Sequence, residues 1–120
     1  MSGTRLRERV AAIVAELPEA TCTGDQHLTL AVGKKTFGYF LDDHHGDGIV
    51  GVAFKAGPGE QEALLRSDPK RFYVPAYLGS RGWAAVRLDV GRVNWAEVRE
   101  LLTDAYRLQA PRRLVAQLDG

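Results

Sequence analysis

The sequence predicts an α+β fold: a single domain in which an antiparallel sheet is packed by helices, in the order α-β-β-β-α-β-β-α. Three observations carry this. The first seventeen residues repeat their apolar positions at helical period. The stretches that follow alternate with period two and are joined by short polar links. A capped amphipathic segment then returns near the end.

The opening segment places Leu6, Val10, Ile13, Val14 and Leu17 on one helical stripe. Thr4 is the expected N-cap and Pro18 the stop. Thr21 to Gln26 is polar and reads as a loop. His27 to Val32 then alternates, with Leu28, Leu30 and Val32 on one face. Gly33-Lys34-Lys35 is a tight turn into a second strand, Thr36 to Leu41. The polar run from Asp42 to Gly48 links it to a third, Ile49 to Phe54, completing a meander.

Pro58-Gly59-Glu60 opens a short helix that runs to about Arg66, and Asp68-Pro69 breaks it. Phe72 to Tyr77 reads as extended, Gly79 to Gly82 as a turn, and Trp83 to Leu88 as a further strand. Asn94 with Glu97 three residues on has the form of a capping box. Behind it Trp95, Val98, Leu101, Leu102, Ala105 and Tyr106 form a stripe, and Pro111 starts a last short helical segment.

Composition limits function. One hundred and twenty residues suit one domain with one core. Cys22 is the only cysteine, so neither an intrachain disulfide nor a thiolate zinc cage is expected, and a reducing cytoplasm is the expected setting. No apolar run follows the basic N-terminus, which argues against a secretory signal, and none is long enough to span a membrane. The net charge is +1, but residues 1–60 carry net −2 and residues 61–120 net +3. A monomer without cofactor is expected.

The residues offer little chemistry. Asp42, Asp43, His44, His45 and Asp47 are metal-ligand types, yet neighbours in one loop seldom aim at one centre, and we read a solvated hairpin tip. Val32-Gly33-Lys34-Lys35-Thr36 lacks the first glycine of a phosphate loop, where Leu28 stands, and it leads into a strand. No nucleophile, acid or base set converges, so no catalytic residue is assigned and the chain reads as a non-enzyme. Basic residues interleaved with aromatics are more informative. Lys70-Arg71-Phe72-Tyr73 precedes Tyr77, Arg81, Trp83 and Arg87, the residue types that pair phosphates and stack bases. Phe72, Tyr77 and Trp83 fit equally as core residues of two strands.

An ordered set of short segments resembles the MmcQ/YjbR family. They are Val32-Gly33-Lys34-Lys35-Thr36-Phe37, Val52-Ala53-Phe54-Lys55, Phe72-Tyr73-Val74-Pro75-Ala76-Tyr77, Gly82-Trp83, and Leu101 to Leu108 with its Ala105-Tyr106 pair. The resemblance implies a CyaY-like fold in a small cytoplasmic bacterial protein. It also implies double-stranded DNA as partner, held by a double-wing arrangement of hairpins. Lys34 and Lys35 would then lie near one wing tip, Arg81 near another, and Lys55 at the family's Phe-Lys position. With Lys70, Arg71 and Arg87 these are the expected nucleic-acid-binding residues, contacting phosphates more than base edges. The acidic Asp42–Asp47 loop disfavours DNA at its own tip. The first helix carries Glu8 and Glu16 against Arg5, Arg7 and Arg9, the wrong balance for the iron-binding ridge of frataxin-type proteins. The alternative expectation is a protein or small-ligand binding module, with a pocket between sheet and helix near Phe72, Tyr77 and Trp83.

Overall fold

Alternating strands flanked by amphipathic helices fold here as one sheet with its main helices on one face. In this computed structural model, residues 3–119 are described. The elements are α1 (Gly3–Ala15), β1 (Ala20–Gly24), β2 (Leu28–Val32), β3 (Lys35–Asp42), β4 (Val50–Phe54), α2 (Glu60–Ser67), β5 (Phe72–Tyr73), β6 (Ala84–Arg87), α3 (Trp95–Gln109) and α4 (Arg112–Asp119). Short 3-10 turns occupy His44–Gly46 and Gly79–Arg81. All strand pairs are antiparallel, in the order β1-β2-β3-β4-β6-β5.

Four details correct the sequence expectation. The polar stretch from Thr21 belongs to β1, which pairs with β2 from Ala20↔Val32 to Gly24↔Leu28. It is an edge strand without fully buried side chains, so Thr-Cys-Thr shows no apolar alternation to reveal it. The meander therefore has four strands, and with the expected segment after Pro111 forming α4 the order is α-β-β-β-β-α-β-β-α-α. Helix α1 has already begun at Gly3, so Thr4 lies inside it. Burial of Leu6 and Val10 holds that first turn without the expected cap. The strand from Phe72 stops at Tyr73, because the chain turns at Pro75 and Tyr77 adopts a left-handed φ of 66°. Tyr77 is not a core residue: it is 82% exposed, while Phe72 and Trp83 are buried.

The core lies between the sheet and helices α1 and α3. Leu6, Val10, Val98 and Leu102 meet Leu30, Phe37, Phe40, Val52 and Phe54 there. Tyr106 is fully buried with its ring edge-on to Phe37 at 5.7 Å. Its hydroxyl donates to the Pro18 carbonyl at 2.6 Å, so this buried polar group has a partner. Asn94 caps α3 as expected, accepting from the Glu97 N–H.

One irregularity decides what the other face looks like. Leu30 pairs with Gly38 but Ala31 pairs with Thr36, so β3 carries one extra residue, Phe37. That bulge sends both Phe37 and Phe40 into the core and turns Tyr39 outward. On the outer face Tyr39, Leu41, Tyr73 and Leu78 pack around Ala53, Trp83 and Ala85. Small residues in the sheet centre make this possible. A Cβ on Gly51 would stand 2.6 Å from the Tyr73 hydroxyl and 2.9 Å from the Val86 carbonyl.

Candidate nucleic-acid interface

Segment 74–82 folds back over the outer face because Gln61 of α2 ties it down. The Gln61 amide donates to the Gly79 carbonyl at 2.9 Å and to the Trp83 carbonyl at 2.6 Å. The fold-back brings Gly79 close to Val74, where a Cβ on Gly79 would stand 2.1 Å from Val74 Cγ1. The segment thereby brings Arg81 to the end of the sheet where β3 begins and β4 ends.

A cleft of about 520 Å³ opens at that place. Its cationic groups are Lys35 at the start of β3, Lys55 just beyond β4, and Arg81. Lys55 is fixed by its own backbone, whose N–H donates to the Phe37 carbonyl at 3.0 Å. Gln109, at the end of α3, closes one side and donates to the Thr36 carbonyl at 3.0 Å. Tyr39 and Trp83 form the aromatic wall, ring centroids 5.9 Å apart and tilted by 34°. Among the described residues no carboxylate lines the cleft.

Tyr39 and Leu78 also wall a second hollow of about 200 Å³, bounded further by Leu41, Ala76, Tyr77 and His44. A cationic compartment and an apolar, aromatic one thus share a wall. On the other side of Lys35, a groove along the β2–β3 turn and the α3–α4 link is lined by Lys34, Leu108 and Pro111.

Of the seven expected binding residues, the fold brings together Lys35, Lys55 and Arg81, with Lys34 beside them. Among the described residues none of these four forms an ion pair. Lys70 is exposed on the turn before β5 and does not line the cleft. Arg71 is held between Asp68 at 2.7 Å and Glu97 at 2.6 Å, and the Arg71 hydrogen bond keeps the Asp68 carboxyl below its ordinary pKa. Arg87 lies at the far end of β6 and meets Asp89 at 2.9 Å. Burial opposes the charge of Asp89, but its hydrogen bonds from Arg87 and the Val50 N–H outweigh this and lower its pKa. Arg71 and Arg87 are therefore committed to carboxylates that hold the fold.

The three residues expected to frame a small-ligand pocket do not share one site. Phe72 is in the core, Trp83 faces the outer cleft, and Tyr77 is exposed beside the second hollow. Sequence reasoning missed Tyr39, Gln109 and Leu78. The bulge hides the outward turn of Tyr39, and Gln109 is remote in sequence from every strand it meets.

The other candidates resolve into structure. The Asp43 carboxylate accepts from the Gly48 N–H and that of Asp47 from the Ile49 N–H, shaping the β3–β4 loop. The side chain of His45 lies outside the described set. Among the described residues no three His, Cys, Asp or Glu are grouped as metal ligands. Burial raises the Cys22 thiol pKa, away from a reactive thiolate. No described helix is long and apolar enough to cross a membrane.

Among curated proteins the chain has no match. The crystal structure of Deinococcus radiodurans protein DR2400, with the domain DUF419, is similar to it at 25% identity and a TM-score of 0.67, over 82% of this chain and 74% of that one. A family model, YjbR, matches residues 15–108, which takes in every strand, the whole cleft except Gln109, and most of α3. By that match the chain belongs to the YjbR family.

Proposed function

We propose that this protein is a nucleic-acid-binding module that holds phosphates in the outer cleft. One observation carries the reading. Lys35, Lys55 and Arg81 converge on one cleft that no described carboxylate lines, while other arginines of the fold, such as Arg71 and Arg87, are matched to acidic partners. Three cations without counter-charge are stabilised by an anion. Gln109 of α3 lines the cleft but donates its amide to the Thr36 carbonyl, so in this reading binding falls on the backbone and on exposed base faces.

The test is anisotropy of labelled DNA, duplex and single-stranded, across a salt series. Replacing Lys35, Lys55 and Arg81 with alanine is expected to weaken binding and reduce the slope of log K against log salt by about 2 to 3, roughly 0.7–0.9 for each phosphate no longer neutralised. Lys70→Ala is expected to change neither. Unchanged affinity in the triple variant would remove the cleft as the interface.

A second reading, a small anionic ligand, is favoured by the cleft volume of about 520 Å³, within the range of small-molecule sites. A mononucleotide or inorganic phosphate that protects the fold against heat, with no DNA binding at low salt, would establish it instead.

A further inference from the structure

We infer that the strand bound in this cleft is single, and that Tyr77 stacks on one of its unpaired bases. The inference rests on the phosphate-binding reading above and adds the kind of nucleic acid. Its basis is the shared wall. Beyond Tyr39 and Leu78 the cationic cleft gives way to a hollow of about 200 Å³ lined further by Leu41, His44, Ala76 and Tyr77. Phosphate and base are joined in one nucleotide, as cation and apolar surface are joined here. A duplex keeps its base faces in its own stack, so only an unpaired base offers a face to that hollow.

Tyr77 supplies the second argument. It is 82% exposed, and it holds a left-handed φ of 66° that a non-glycine side chain adopts at a cost. A large aromatic is thus kept in such a backbone at the surface. Strain of this kind collects at binding sites. Pro75 is buried and Gly79 donates its N–H to the Pro75 carbonyl at 2.9 Å, so the turn that presents Tyr77 is internally braced. Most of the side chain faces solvent, and base stacking on an aromatic is a sequence-tolerant interaction open to it.

The experiment compares a labelled oligothymidine of about ten nucleotides with a duplex of equal length, using the wild-type chain, Tyr77→Ala and Tyr77→Phe. The wild type is expected to bind the single strand at least tenfold more tightly. Tyr77→Ala is expected to lose about tenfold on the single strand, the scale of one lost base stack, and nothing on the duplex. Tyr77→Phe retains the ring and is expected to keep full affinity. Circular dichroism of Tyr77→Ala should match the wild type, since the side chain is exposed. Equal affinity for strand and duplex, or loss on both in Tyr77→Ala, overturns the single-strand inference and leaves the phosphate cleft standing. Thymidine monophosphate bound as tightly as the oligomer also overturns it. No binding of either DNA at low salt overturns the phosphate reading itself.

Discussion

Single residues decide which cations of this protein are available. Arg71 and Arg87 differ from Arg81 in having a carboxylate close by in the chain, Asp68 three positions and Asp89 two positions away, and the fold closes both pairs. The partner of Arg71 in α3, Glu97, lies 26 positions away, and nothing local announces it. Tyr73 shows the same dependence on folded context. Its hydroxyl lies over Gly51 on the outer face, and burial, with Asp47 and Asp89 nearby, pushes its pKa up to about 12. The neutral phenol is thus favoured in the folded state over the unfolded one. The stabilisation is complete below the unfolded value near 10 and is lost as pH rises from about 10 through about 12. Denaturant titrations over that range should show falling stability in the wild type. Tyr73→Phe, which has no proton to lose, should lack this part of the fall; an identical decline in both would place the sensitivity elsewhere.

At the scale of elements, the apolar stripes of α1 and α3 and the alternation of β2 are legible because packing on one face leaves a periodic record. β1 is not, since a half-exposed edge strand of Thr and Cys leaves none. The bulge in β3 is also silent, and with it the outward turn of Tyr39. Segment 74–82 reads as strand then turn, yet it acts as a wall. Its attachment to α2 runs through the two hydrogen bonds of Gln61. Gln61→Ala should therefore leave the sheet intact and loosen the wall. Amide hydrogen exchange is expected to rise by about an order of magnitude at residues 79–83, the scale of one or two lost hydrogen bonds, with β2 and β3 unchanged. Uniformly faster exchange would mean that the residue supports the whole fold.

Across the whole molecule, the two faces of the sheet are built from the same strands. Phe54 and Val86 point into the helical core while Ala53 and Ala85 carry the outer cluster. The faces should therefore melt together. The two tryptophans report them separately: Trp83 lies in the outer cluster and Trp95 heads α3, under the Arg9 guanidinium at 4.5 Å. Single-tryptophan variants, Trp83→Phe and Trp95→Phe, should each give one transition whose fluorescence midpoint coincides with that from circular dichroism. Separate midpoints would show that the outer cluster opens on its own. The shared strands also separate what must stay from what is free to vary. Three sides of the cleft rest on strands and a helix end that the core needs, whereas the fourth is a nine-residue span, 74–82, whose exchange leaves every core strand in place. Under the proposed binding reading that span is a cassette: recombination within it would retune what is bound, and the scaffold would carry each new version without having to be reinvented.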